Sequence, residues 1–236
     1  MSDFESAITV PGFEPVIFDL DGTVVDTVEL IRDSFRHATS TVLGVELSDR
    51  QIMAGVGKTL MAQMVALSPE HAQELYDVYR EYNHRRHDEL IRPYEGMQAA
   101  LEDLRAAGRH LGIVTSKSAD TTQMAFASIG VGHLFDVVVT ASDTSEHKPD
   151  PAPIRLCLER LAAAGLPADP AAAIYIGDSP FDIAAGAAAG TATAAVTWGI
   201  FSLDDLLAAR PDHVAREPRD IVRLCLTGAL SGEKRA

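Results

Sequence analysis

Four aspartates, one lysine and one threonine define the chemistry this chain can support. Asp19 and Asp21 stand in Asp19-Leu20-Asp21-Gly22-Thr23, directly after the apolar run Val16-Ile17-Phe18. Thr115 and Ser116 follow a second such run, Leu111-Gly112-Ile113-Val114, and Lys148 lies in Lys148-Pro149-Asp150-Pro151. Asp178 and Asp182 fall within Gly177-Asp178-Ser179-Pro180-Phe181-Asp182. Brought together, Asp19, Asp21, Asp178 and Asp182 would crowd negative charge that Lys148 alone cannot neutralise. A hard divalent cation can, and Mg²⁺ favours a few carboxylate oxygens together with water and a substrate phosphate. No Cys or His joins the set, so a thiolate or imidazole centre is not indicated. With the cation in place the crevice becomes a phosphate site, where the metal, Lys148 and the Thr115 hydroxyl meet phosphoryl oxygens.

Taken singly, each motif has a plainer reading. Asp-x-Asp is commonly a turn, Lys-Pro a surface loop, and Gly-Asp-Ser-Pro a helix start capped by Asp178 or Ser179. Their shared position argues otherwise, and it depends on the elements that carry them. Val16-Ile17-Phe18, Leu111 to Val114, Val137-Val138-Val139, Ile174-Tyr175-Ile176 and Ala194-Ala195-Val196 are short continuous apolar runs. Strands buried on both faces of a parallel sheet read this way. Helical patterns lie between them, over Met97 to Ala107, Asp120 to Ile129 and Pro153 to Ala164, each followed by a glycine stop. The alternation predicts an α/β fold with a doubly wound, mostly parallel sheet. All four motifs then fall at the carboxyl ends of strands, where open α/β sheets bind ligands.

The alternation is interrupted once. No strand is predicted from Thr27 to about Ile91. Val28, Ile31, Phe35, Ala38 and Val42 mark one amphipathic helix. Ser48 with Gln51 caps a second, and Ser68-Pro69 starts a third carrying Leu75, Tyr79 and Tyr82. The expected organisation is a core of residues 1–26 and 93–236 with a small helical cap domain at 27–92.

These residues resemble the haloacid dehalogenase superfamily of phosphohydrolases, through DLDGTVVDT at 19–27, Thr115, HKPDPAP at 147–153 and GDSPFD at 177–182. The resemblance covers essentially the whole chain, including the helical insertion. It implies a Rossmann-like core and a Mg²⁺-dependent phosphatase working through an aspartyl-phosphate. Asp19 would be the nucleophile and Asp21 the general acid and base. Thr115 and backbone N–H groups near Ser116 would hold phosphoryl oxygens, with Lys148 neutralising charge there. Gly22 and Thr23 are expected beside the substrate. The metal would be held by the Asp19 carboxylate, the Asp21 backbone carbonyl and Asp178, with Asp182 orienting a bound water. VTSK at 114–117, the later motifs and TWG at 197–199 look most like the phosphoglycolate phosphatase branch, and about as close to its inorganic pyrophosphatase relatives. The expected substrate is a small phosphorylated metabolite such as phosphoglycolate, with pyrophosphate as the alternative. Asp21 counts against a dehalogenase, and Gly177 disfavours a sugar phosphomutase. A phospho-receiver would be shorter, uncapped and reversed in motif order. An inactive binding module is unsupported, since every chemical position is filled.

Gly55-Val56-Gly57-Lys58-Thr59 mimics the end of a nucleotide loop, but position 52 is Ile and no strand precedes it. The resemblance places this turn in the cap loop facing the site, making Lys58 a candidate substrate contact. His84 and His87 flank Arg85 and Arg86 and read as a solvated basic face; Trp198 reads as a packing residue. A formal charge of −14 with no basic cluster excludes nucleic acid and anionic membranes as partners. Residues 183–203 carry no formal charge, but Gly186, Gly190 and Gly199 break the run into a helix, a turn and a buried strand. Residues 1–10 show no signal peptide, and Cys157 and Cys225 read as buried thiols of a reducing compartment. A cytoplasmic protein is expected.

Overall fold

The computed structural model describes residues 12–230; the reading of residues 1–10 lies outside them. In chain order the elements are β1 (Val16–Phe18), β2 (Val25–Asp26), α1 (Val28–Leu43), α2 (Asp49–Met53), α3 (Leu60–Leu67), α4 (Ala72–Leu90), β3 (Arg92–Pro93), α5 (Met97–Ala106), β4 (Leu111–Val114), α6 (Ala119–Ile129), β5 (Val137–Val139), α7 (Ala152–Ala163), β6 (Ile174–Gly177), α8 (Pro180–Ala189), β7 (Ala192–Val196), α9 (Leu203–Ala208), β8 (His213–Ala215) and α10 (Pro218–Thr227).

The five apolar runs form strands, and with β8 they make a parallel sheet in the order β5-β4-β1-β6-β7-β8. Strand alternation divides the core into two layers. Val16 and Phe18 of β1, with Ile174 and Ile176 of β6, join the cluster containing Leu101 and Leu104 of α5 and Leu224 of α10. Ile17 and Tyr175 face the opposite cluster, with Ile154 and Leu161 of α7 and Ala185 of α8. Both sheet faces are thus covered, which is why these strands are apolar at successive positions. The chain runs outward from β1 through β4 to β5 on one side, and through β6, β7 and β8 on the other. The order reverses beside β1, and that switch point is where the carboxyl ends leave a crevice.

The chain leaves and re-enters the core through β2 and β3, a short antiparallel ribbon in which Val25 pairs with Pro93 and Asp26 with Arg92. Between them α1–α4 share their own apolar cluster of Ile31, Phe35, Ile52, Met64, Leu75 and Tyr79. Ser48 and Gln51 form the expected capping box of α2. Within this helical segment, two details differ from expectation. The helix α3 was not anticipated, because LMAQMVAL is apolar without a clear polar face. His87 does not lie on a solvated basic face: it is fully buried in α4, while Arg85 at the adjoining turn is exposed. One residue in a four-residue basic run had to face the interior of the α1–α4 segment, since a helix turns about 100° per residue. The uncharged run 183–203 divides into the end of α8, the strand β7 and a following turn. Among the described residues no helix is long and apolar enough to cross a membrane.

Candidate active site

Asp19 follows β1 directly, and its N–H continues the ladder by donating to the Ile176 carbonyl at 2.8 Å. The chain then turns on itself: the Leu20 carbonyl accepts from the N–H groups of Thr23, Val24 and Val25 at 3.3, 2.9 and 3.0 Å. Gly22 makes this turn possible, with φ at +75°, and a Cβ there would lie 2.1 Å from Asp178 Oδ2. The position needs both glycine's left-handed backbone and its lack of a side chain. Thr115 follows β4, its N–H bonded to the Val139 carbonyl at 2.9 Å. Asp178 follows β6, and Asp182 lies in the first turn of α8. Ser179 caps α8, and its hydroxyl and N–H donate to Asp182 Oδ2 at 2.6 and 3.0 Å. The plain reading of Gly-Asp-Ser-Pro as a helix start is therefore correct, and the same cap fixes two site aspartates.

Asp19, Asp178 and Asp182 converge, with one oxygen of each lying within 4.8 Å of the others. All three are buried, as is Lys148, whose ammonium stands 2.7 Å from Asp182 Oδ1 and 2.9 Å from Asp19 Oδ1. The contact to Asp182 is a hydrogen bond, and the contact to Asp19 Oδ1 is a buried ion pair. One ammonium against three carboxylates leaves excess negative charge out of water. Burial pushes the Asp19 carboxyl up to about 7, with Asp182 and Asp21 adding to the rise and Lys148 opposing it. Burial, Asp182 and Asp19 push Asp178 up as well. The lone pairs are unequally committed. Asp182 Oδ1 accepts from Lys148 and, at 3.3 Å, from the Tyr175 hydroxyl, while its Oδ2 serves Ser179. Asp178 Oδ2 accepts from the Ile200 N–H at 2.7 Å, and its Oδ1 is only distantly approached by Thr23, at 3.5 Å. Three converging buried carboxylates, offering oxygen alone and balanced by a single ammonium, fit a hard divalent cation.

Asp21 is not part of this convergence. Its Oδ1 accepts from Thr27 Oγ1 and Lys117 Nζ, both at 2.8 Å. Asp19, Asp21, Thr115, Ser116 and Asp178 border one cavity of about 320 Å³, which helices α1, α3 and α4 and the 56–59 turn close from above. Ser116 Oγ donates to the Gly57 carbonyl at 2.6 Å, tying that turn to the core. Gly57 has φ at +101°, and a Cβ there would lie 2.8 Å from Phe181. Lys58 also borders the cavity, and its ammonium stands 5.2 Å from the Phe181 ring centroid, a cation–π contact. Thr23 is buried beside Asp178, and Lys148 sits behind the cavity rather than on its wall.

Four participants escaped the sequence reading. Lys117 was quoted only as part of a motif, yet it holds Asp21. Thr27 was read as a domain boundary, and Tyr175 as strand filling, although its hydroxyl bonds Val114 O and Asp182. Arg80, on α4, reaches the cavity wall. Only the fully buried Tyr175 carried a usable signal, since a tyrosine inside an otherwise aliphatic strand must satisfy its hydroxyl. Trp198 is more than packing: its Nε1 donates to the Thr23 carbonyl at 3.0 Å, bracing the turn after Asp21.

A family model described as haloacid dehalogenase-like hydrolase matches residues 16–196. Pyrophosphatase PpaX of Bacillus velezensis is 38% identical over 209 residues, covering 89% of this chain and 94% of that protein. PpaX of Bacillus pumilus is 37% identical over 214 residues, covering 91% and 96%. Among solved structures, a haloacid dehalogenase-like family hydrolase of Streptococcus pneumoniae is 28% identical, with a TM-score of 0.76 and coverage of 89% and 97%. A Lactobacillus plantarum structure with a provisional phosphoglycolate phosphatase designation is 26% identical, with a TM-score of 0.79 and coverage of 90% and 99%.

Proposed function

We propose, because the chain belongs to the haloacid dehalogenase-like hydrolase family and is a phosphatase, that its preferred substrate is inorganic pyrophosphate and its metal Mg²⁺. The observation that carries the substrate is the cavity, whose wall Asp19 shares with Lys58, Arg80 and Lys117. A second phosphate adds negative charge beyond the transferred group, and three cationic side chains around a small volume suit it. Relatives of 37–38% identity bearing the pyrophosphatase name support this choice over phosphoglycolate. The more distant phosphoglycolate-designated structure keeps that ester as the second reading.

Asp19 is the nucleophile in this proposal. It stands at the end of β1, buried, and borders the cavity. Asp21 serves as acid toward the leaving phosphate and then as base toward water. Lys117 and Thr27 hold its carboxylate aside until substrate enters and offers Lys117 a competing anion. Thr115 and Ser116 orient the phosphoryl oxygens, and Lys148 keeps Asp19 and Asp182 in register. Gly22 and Thr23 shape the turn against which the substrate rests. Asp19, Asp178 and the Asp21 carbonyl would hold Mg²⁺, with Asp182 behind them as the anchor of Lys148 and Ser179. When bound, the ion neutralises charge on the transferred phosphoryl group and its surroundings. Residues 27–92 act as a cap that excludes water from the crevice.

Phosphate release from pyrophosphate, phosphoglycolate and phenyl phosphate, with Mg²⁺ and in chelator, tests the reading. Pyrophosphate should have the highest kcat/KM, and chelator should abolish turnover. A higher kcat/KM for phosphoglycolate would replace pyrophosphate as the substrate, and full activity in chelator would remove the metal.

A further inference from the structure

We infer that Arg80, on the cap helix α4, is the specificity-determining residue that reads the anionic group left behind when the phosphoryl group is transferred. The inference rests on the proposed use of a doubly anionic substrate and names the residue that recognises its far end. The cap wall of the cavity is mostly apolar, formed by residues such as Ile31, Phe35, Met61 and Tyr79. Among the cations near the site, Lys148 is committed to Asp19 and Asp182, and Lys117 to Asp21. Lys58 lies over Phe181 near the strand ends. Arg80 enters from the helix opposite.

Its guanidinium is held in a fixed pose before any ligand arrives. One terminal nitrogen donates to the Tyr76 hydroxyl at 3.1 Å, and the guanidinium carbon stands 5.6 Å from the Tyr76 ring centroid. The other terminal nitrogen pairs with Asp120 of α6 and lies 3.2 Å from His84 Nε2. Asp120 approaches from the solvent side, its side chain 51% exposed, while Arg80 is 27% exposed. Nε–H and the second N–H of the first terminal nitrogen take part in none of these contacts, and each can donate a charge-assisted hydrogen bond to a phosphate or carboxylate oxygen. A pre-oriented guanidinium loses little side-chain entropy on binding. Asp120 is therefore a positioning residue, acting through Arg80.

A simpler role would be a cap-to-core clasp, since the Arg80–Asp120 pair crosses that boundary. The two roles differ in how they treat substrates with different tails. The quantity to measure is the ratio of kcat/KM for pyrophosphate to that for phenyl phosphate, whose leaving group carries no anion. In Arg80→Gln this ratio should fall about 10- to 100-fold, as expected for the loss of charge-assisted hydrogen bonds, with most of the fall in KM. Arg80→Lys should recover part of it, because a lysine keeps the charge but not the placement of the guanidinium N–H groups. Asp120→Asn should lower the ratio less than Arg80→Gln. A clasp would instead lower both substrates alike in Arg80→Gln and Asp120→Asn, leaving the ratio within about threefold of the wild type, and that result overturns the inference. Circular dichroism of each variant shows whether it is folded, and Arg80→Lys carries the comparison if Arg80→Gln is not. If the wild-type protein does not turn over pyrophosphate, the substrate proposal has failed separately. The same ratio is then taken with phosphoglycolate, and a ratio unmoved by Arg80→Gln overturns the role of Arg80 there as well.

Discussion

Replacing Lys148 with methionine tests the electrostatic account of the site most directly. The substitution keeps most of the stem's volume and removes the ammonium that stands within 3 Å of both Asp19 and Asp182. Three buried carboxylates would then face one another without a counter-charge. Breaking a buried ion pair from one side costs about 3–5 kcal/mol. For a chain of this size that is a fall in Tm of about 6–20 °C. The pH dependence has a definite sign. Lys148 is held well above its ordinary value by Asp182 and Asp19 against the effect of burial, so its contribution is complete throughout the neutral range and fades only in strong alkali. Any change in the effect of the substitution between about pH 4 and pH 8 is therefore assigned to the neighbouring carboxylates. Asp19, raised to about 7 chiefly by burial, holds a proton in the folded state that the unfolded chain releases above about pH 4. The Asp19 contribution to the stability of the cation-free protein falls as pH rises through that window. Without Lys148 the carboxylates rise further, so the penalty should grow with pH and shrink toward pH 5. A divalent cation should offset it, by about 2.7 kcal/mol at a hundredfold excess over Kd. Urea unfolding followed by circular dichroism, at about pH 5 and about pH 8, with and without Mg²⁺, measures all three effects. A loss under about 1 kcal/mol, a larger loss at the lower pH, or no recovery with cation would refute the reasoning.

Asp19→Asn should abolish phosphate release while the cation-free Tm holds or rises, because it removes one of the crowded carboxylates; measurable turnover in the purified variant would end the nucleophile assignment. Gly22→Ala should lose about 2–5 kcal/mol, from a left-handed backbone and the encroachment on Asp178, and should weaken divalent-cation binding measured calorimetrically; a variant that unfolds and binds like the wild type would contradict the described turn. Cys157, raised to about 12 by burial, and Cys225, raised further by the same cause, should resist thiol reagents in the native protein at about pH 8, where about one thiol in ten thousand is ionised. Rapid labelling of either without denaturant would show that the two core layers open more readily than their packing implies.

The sequence by itself determined the sheet and the chemical inventory. Runs such as Val16-Ile17-Phe18 and Ile174-Tyr175-Ile176 are apolar at every position because helices cover both faces of a parallel strand, and that pattern survives in a one-dimensional reading. Asp19, Thr115 and Asp178 were legible for the same reason: each follows its strand directly, so predicting the strand also places the residue at the crevice. The strand β8 was missed, since His213-Val214-Ala215 lies at the sheet edge, where burial on both faces is not imposed. Other matters were decided only by the tertiary structure. Which carboxylates converge could not be read from spacing, because Asp21 is two residues from Asp19 and yet points to Lys117 and Thr27. Whether Asp182 is a free ligand or a committed one depended on Ser179, Tyr175 and Lys148 arriving from three different elements. Arg80 gave no signal at all, for an arginine on an amphipathic helix is ordinarily a solvated side chain. It borders the cavity only because the β2–β3 ribbon returns the helical segment across the carboxyl ends of the sheet, and contacts between residues far apart in the chain leave no local pattern to read.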